Sequence, residues 1–168
     1  ILDIQIYNCN PGLFPIYHAI ILSSINKSGI FFKEELRLDL SVGVDIVSID
    51  RIYLISKKYP RRFPSRILAK AELEIYIKRG SRAEHLAALF AAKEAILKAI
   101  GSGVGPVSFQ EVIVLSPGGK PPIVQLVGQA ALAAGEKGIK SISISISHEP
   151  PFACAIAAAV KFKARFSE

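Results

Sequence analysis

Residues 141–147 read SISISIS, seven residues in strict polar–apolar alternation. Successive side chains of a β-strand point to opposite faces, so this pattern sorts isoleucine from serine only if the segment is extended. The next four residues, His148-Glu149-Pro150-Pro151, turn the chain, and FACAIAAAV follows as a last strand. Upstream, Leu38 to Ile49 reads as another strand, rich in the β-branched residues that favour that state. Residues 50–62 predict a short helix broken at Pro60, and Arg66 to Lys78 a second helix. Ser81-Arg82-Ala83-Glu84 has the spacing of a capping box, so a long helix should run from Arg82 to Ile100 and stop at Gly101. GSGVGP is then a flexible loop and SFQEVIVL a strand. A turn at residues 117–122 leads into IVQLV and a small-residue helix over residues 129–134. These elements predict an α+β fold: a single compact domain with a largely antiparallel sheet packed against one long helix.

Composition agrees with a folded chain. At 168 residues and 51% hydrophobic it can bury a real core. Cys9 and Cys154 form no disulfide framework or metal-ligand spacing and read as free thiols. No apolar run reaches the roughly 18–20 residues of a membrane helix, and IYHAIILSSI is interrupted by His18. The net charge of +7 is local: residues 51–79 hold nine cations against Glu72 and Glu74, an excess equal to that of the whole chain. Such a segment suits an acidic partner or an anionic ligand, and a solvated basic surface is the plain alternative. The chain starts at Ile1 and contains no methionine, so processing, truncation or a partial reading frame is expected. Residues 1–36 read as an N-terminal extension of unknown role before a domain over 37–168.

Two carboxylates stand out. Asp45 interrupts the β-branched run VGVDIVSIDR, where a buried charge is costly unless compensated. Glu94 falls on the apolar stripe of the long helix formed by Leu86, Phe90, Leu97 and Ile100, with Lys98 one turn on. A surface ion pair at i,i+4 accounts for Glu94 and Lys98 at about 0.2–0.5 kcal/mol. Alternatively, the two carboxylates converge across the sheet–helix interface and hold Mg²⁺, which takes oxygen ligands and retains waters. Lys98, with Lys93, then lies beside the anion that the metal binds. The loop 101–105 follows a helix instead of preceding one, and no GK[ST] motif occurs, so a phosphate-cradling nucleotide loop is excluded.

Gly43-Val44-Asp45-Ile46 with Arg51-Ile52 resembles the first signature of the holo-[acyl-carrier-protein] synthases, the small bacterial-type 4′-phosphopantetheinyl transferases. Residues 90–95, FAAKEA, with Lys98-Ala99 and Gly101-Ser102-Gly103, resemble the second. Arg66-Ile67-Leu68, Glu72-Leu73, Gly119-Lys120-Pro121 and the strand ending in His148 fit the same pattern, over roughly Leu38 to Val160. The resemblance implies Mg²⁺-dependent transfer of phosphopantetheine from coenzyme A to a serine of apo-acyl carrier protein, releasing adenosine 3′,5′-bisphosphate for fatty acid biosynthesis. It implies Asp45 and Glu94 as metal ligands, Glu94 and Lys98 as catalytic groups, and Lys93, Ser102, Gly103, Gly119, Lys120, Pro121 and His148 as coenzyme contacts. It further implies carrier-protein docking on Arg51, Ile55, Lys58, Arg61 and Arg62, and a homotrimer with active sites between subunits. Nucleic acid and membrane are not expected partners. The expected compartment is the cytoplasm, or an organelle if residues 1–36 are a targeting remnant. Leu89 departs from the family, many of whose members carry Arg at that position. The alternatives are a basic module binding RNA or another polyanion without catalysis, and a structural trimer that has lost activity.

Overall fold

A computed structural model describes residues 4–5, 18–22, 33–103, 105–116 and 120–166. The elements in chain order are β1 (Ile4–Gln5), β2 (His18–Leu22), β3 (Lys33–Ser48), α1 (Ile49–Lys58), α2 (Arg62–Ile67), α3 (Lys70–Lys78) and α4 (Ala83–Ile100). A 3₁₀ turn (Phe109–Glu111) follows, then β4 (Val112–Leu115), β5 (Ile123–Leu126), α5 (Gly128–Glu136), β6 (Ile139–Glu149) and β7 (Phe152–Phe166). All neighbours in the five-stranded sheet, ordered β1-β2-β3-β7-β6, are antiparallel, and β4 and β5 pair separately. The fold is the expected α+β arrangement.

Register explains the sorting of side chains. Ile142, Ile144 and Ile146 of β6 pair with Ala159, Ala157 and Ala155 of β7, and this face is turned to α4. Small alanines on β7 let the helix lie close, so Ala87, Ala91, Ala92, Ala95 and Ala99 of α4 are all buried. Leu86, Ile96, Leu97 and Ile100 complete the core, each fully buried aliphatic side chain contributing roughly 1.5–3 kcal/mol. The serines of β6 go to the opposite face.

Several local expectations change. The strand expected from Leu38 to Ile49 starts earlier, at Lys33, and hands Ile49 to α1. The helix expected over Arg66–Lys78 is two helices, broken at Leu68 and Ala69, both extended. The break is made by Glu72, whose Oε2 accepts the Ala69 backbone N–H at 2.7 Å and restarts the helix. The capping box expected at Ser81 does not form: Ser81 takes a left-handed φ of 54°, and Arg82 stands at the cap with no side-chain bond. Ser81 is spent on the preceding turn, where its carbonyl accepts the Tyr76 hydroxyl at 2.9 Å. The first part of SFQEVIVL is the 3₁₀ turn, and here Ser108 and Glu111 do form a capping box.

Candidate active site

Asp45 sits on β3 opposite Ala155 of β7, on the face turned to α4. Two residues earlier, Gly43 lies directly under the helix: a β carbon there would run into the Ala95 carbonyl oxygen and stand 2.6 Å from the Ala99 nitrogen. Glycine permits this approach, and the approach brings Glu94 and Lys98 of α4 over Asp45. Lys98 Nζ donates to Asp45 Oδ1 at 2.8 Å and to the Val44 carbonyl oxygen at 2.9 Å. The i,i+4 reading of Lys98 thus gives way to a bond across 53 residues of sequence. The Asp45 side chain is 16% exposed, that of Lys98 50%. Burial raises the pKa of Glu94 above its ordinary value, the Asp45 carboxylate raises it further, and the Lys98 ammonium partly offsets both.

Two carboxylates close enough for one to raise the pKa of the other can together hold a hard divalent cation. Among the described residues no three His, Cys, Asp or Glu cluster as a cage. The donor set therefore fits an ion that keeps waters and takes ligand oxygens, as Mg²⁺ does, better than one that demands an all-protein site.

Lys93, expected as a coenzyme contact, lies outside this cluster. It is fully buried, its Nζ donating to Glu72 Oε2 at 2.6 Å and to the Phe109 carbonyl oxygen at 2.9 Å. Glu72 Oε1 accepts the Val114 N–H at 2.8 Å, so one buried ion pair ties α3, α4, the 3₁₀ turn and β4 together. Residues 93 and 94 are neighbours in sequence but about 100° apart around a helix.

The loop after α4 places Gly101 and Gly103 at left-handed φ values of 71° and 68°. The Ser102 hydroxyl is buried with no partner among the described residues, as a group awaiting a ligand would be. Lys137 Nζ closes the helix end, donating to the Ile100 carbonyl oxygen at 2.8 Å and also to that of Gly101. Lys120 and Pro121 are exposed before β5, and no hydrogen bond or ion pair among the described residues joins them to Asp45 or Glu94. Gly119 lies outside the described residues.

His148, at the end of β6, lines a cavity of about 350 Å³ with Arg79, Arg82, Glu84, His85 and Ala88. His85 Nδ1 is buried with no hydrogen-bond partner among the described residues, and burial, Arg79, Arg82 and His148 all depress its pKa. Sequence reasoning missed Arg79, Arg82 and His85 as a group; the signal available was the cation excess that ends at Arg79. Leu89, one residue beyond Ala88, is a buried core residue.

A second cavity, of about 280 Å³, opens beside α1 and α2 between Ile55, Tyr59, Arg62, Phe63 and Arg66. Of the expected docking residues, Ile55 and Arg62 line it, while Arg51, Lys58 and Arg61 are exposed nearby on α1 and at the start of α2. Tyr59, Phe63 and Arg66 are additions that the apolar spacing alone did not reveal.

The profile of the 4'-phosphopantetheinyl transferase superfamily matches residues 41–157, which span the Asp45–Glu94 cluster and His148. The holo-[acyl-carrier-protein] synthase of Caldanaerobacter subterraneus subsp. tengcongensis is 40% identical over 124 residues, 73% of this chain and 96% of that protein. The chain belongs to this family. It is a transferase of the holo-[acyl-carrier-protein] synthase group. The crystal structure of the Neisseria meningitidis synthase superposes with a TM-score of 0.66 at 35% identity, covering 71% of this chain and 96% of that one. The Helicobacter pylori synthase, solved in complex with coenzyme A, gives 0.61 at 31% identity, covering 73% and 99%. No helix among the described residues is long and apolar enough to cross a membrane.

Proposed function

We propose that this transferase moves the 4′-phosphopantetheine group of coenzyme A onto a serine of an apo-acyl carrier protein in a Mg²⁺-dependent reaction, releasing adenosine 3′,5′-bisphosphate. The observation that carries the reading is the meeting of Asp45 and Glu94 across the β3–α4 interface, with the Lys98 ammonium on Asp45. A polyanion-binding module gives that cluster no purpose.

Held by Asp45 and Glu94, Mg²⁺ would supply Lewis-acid polarisation of the pyrophosphate oxygens. The serine hydroxyl oxygen attacks the phosphorus that carries the pantetheine arm, and the bond from that phosphorus to the adenosine bisphosphate oxygen breaks. Glu94, or a water that it orients, takes the serine proton. Lys98 donates to the phosphate oxygens that gain charge and to the leaving phosphate. The cavity at His148 takes the anionic adenosine end, with Arg79 and Arg82 supplying the cation that Leu89 does not. Ser102 and Gly103 offer a hydroxyl and an unobstructed backbone to the same coenzyme, with the 119–121 turn as a further contact.

The carrier protein docks on α1 and α2. Acyl carrier proteins are acidic, and Arg62 and Arg66 line the cavity at Ile55, where one apolar side chain of the partner can enter, with Arg51, Lys58 and Arg61 exposed on α1 and at the start of α2. Such an interface forms fast and weakens with salt. Residues 37–168 carry this activity, and residues 1–36 are an extension whose β2 pairs with β3.

The assembly is a homotrimer. The outer sheet face presents Leu38, Leu40, Val42, Val44 and Ile46 of β3 with Phe152 and Ile156 of β7, each 43–64% exposed. A contiguous apolar face of this kind calls for a covering partner, and copies of the same chain supply one.

Intact mass spectrometry of an apo-acyl carrier protein incubated with this protein, coenzyme A and Mg²⁺ tests the reading. It should gain one phosphopantetheine, and lose that gain without metal or with Glu94→Ala. No gain from a folded sample with several carrier proteins refutes the reaction.

A further inference from the structure

Lys98 binds the carboxylate that the proposed reaction assigns to a metal. Its Nζ makes two short bonds, to Asp45 Oδ1 at 2.8 Å and to the Val44 carbonyl oxygen at 2.9 Å. Glu94, the other carboxylate, feels both Asp45 and Lys98. One ammonium therefore offsets the charge of Asp45 and leaves a net negative site beside Glu94. The Lys98 side chain is half exposed and the Asp45 side chain is not, so the lysine can leave and the aspartate cannot.

We propose that Lys98 is a stand-in cation, which holds Asp45 until coenzyme A arrives and then exchanges that carboxylate for the coenzyme's pyrophosphate, so that divalent metal and coenzyme enter together. The inference rests on the metal assignment of the previous subsection and adds an order to it. A metal arriving alone must evict an ammonium that then has no anion to turn to, and the two cations repel at close range. With a pyrophosphate present, the displaced ammonium gains phosphate oxygens for the oxygens it leaves. Linkage makes the effect reciprocal, so metal strengthens coenzyme binding by the factor by which coenzyme strengthens metal binding. Lys98 is in this sense a positioning residue for the metal as well as a contact for the phosphates.

The test uses Mn²⁺ as the metal probe and counts free Mn²⁺ by electron paramagnetic resonance, with the full chain and no turnover. The variants are Lys98→Met, Lys98→Arg and Asp45→Asn, each checked for folding by thermal melting. Wild type should bind Mn²⁺ weakly alone, and coenzyme A should tighten binding beyond the affinity of the coenzyme itself for the ion. Lys98→Met should bind Mn²⁺ alone on the order of tenfold more tightly than wild type, within the range usual for coupled sites, and should lose most of the coenzyme effect. Lys98→Arg should stay weak, because a guanidinium also holds Asp45. Equal or weaker Mn²⁺ binding by Lys98→Met, with Asp45→Asn still abolishing it, overturns the stand-in role and leaves the metal site intact. Mn²⁺ binding that ignores Asp45→Asn, or is absent throughout, removes the metal assignment and the exchange with it.

Discussion

Replacing Gly43 by alanine tests whether the close approach of α4 to β3 builds the site. A β carbon at residue 43 would stand 2.6 Å from the Ala99 nitrogen and 2.8 Å from Lys98 Cβ, and closer still to the Ala95 carbonyl oxygen. Ordinary contact begins near 3.4 Å, so the separations from the Ala99 nitrogen and Lys98 Cβ fall about 0.8 and 0.6 Å short. The first obstacles are backbone atoms of a helix buried on nearly all sides, which cannot rotate away as a flexible side chain would. The helix must lift as a body by about 1 Å, at a cost of about 1–3 kcal/mol for overpacking a filled interior. The same lift carries Glu94 and Lys98 off Asp45 and stretches the 2.8 Å ion pair beyond hydrogen-bond length. Misplacement of reacting groups by about 1 Å costs on the order of 10²-fold in rate. Urea unfolding should therefore show the stability loss, and the rate of carrier-protein loading at saturating coenzyme should fall by about that factor. A Gly43→Ala protein with wild-type stability and rate would refute the reasoning, because the helix would then have room that the structure denies it.

Three further outcomes follow from the same geometry. Lys93→Met leaves Glu72 buried without its counter-ion and should cost about 3–5 kcal/mol in unfolding free energy, while the double variant Glu72→Gln/Lys93→Met should recover part of it. Unchanged stability with a raised coenzyme KM would return Lys93 to the ligand. Val44→Asp with Ile46→Asp charges the outer sheet face and should leave the protein a monomer in sedimentation where the proposed assembly predicts a wild-type trimer, with loading activity lost if sites lie between subunits. For His85 the folded pKa lies below the unfolded value of 6.5, held down by burial and then by Arg79, Arg82 and His148. The unfolded state thus binds the proton first as pH falls. Wild-type stability should decline from about pH 6.5 downward through the depressed value, and His85→Leu should decline less over that window. Parallel curves for the two proteins would show that His85 can accept its proton without cost.

Much of this protein was legible before folding was considered. SISISIS became β6 because period-two alternation admits only an extended chain, and FAAKEA with its flanking residues became α4 because alanine and leucine suit a helix at every turn. The places where local reading failed are instructive. Ser81 and Glu84 have capping-box spacing, yet the chain needed a left-handed residue there to leave α3, and that need took Ser81 out of the box. Glu72 read as one of two acids in a basic segment, but its carboxylate is consumed by Ala69 at the start of its own helix and by Lys93 and Val114, brought to it from two other places in the chain.

The sequence by itself determined the residue types of the site, their order and the elements that bear them: an acid in an apolar strand, an acid and a lysine one turn apart on a helix. Tertiary structure alone decided which of these face one another. Helical periodicity sets the angle between Lys93, Glu94 and Lys98 but not the direction any of them faces. That direction came from packing, from alanines on β7 and a glycine on β3 that let one side of α4 sink against the sheet. The contact sealed Lys93 inside and left Glu94 and Lys98 above Asp45, because a helix laid on a sheet can present only one of its faces to it.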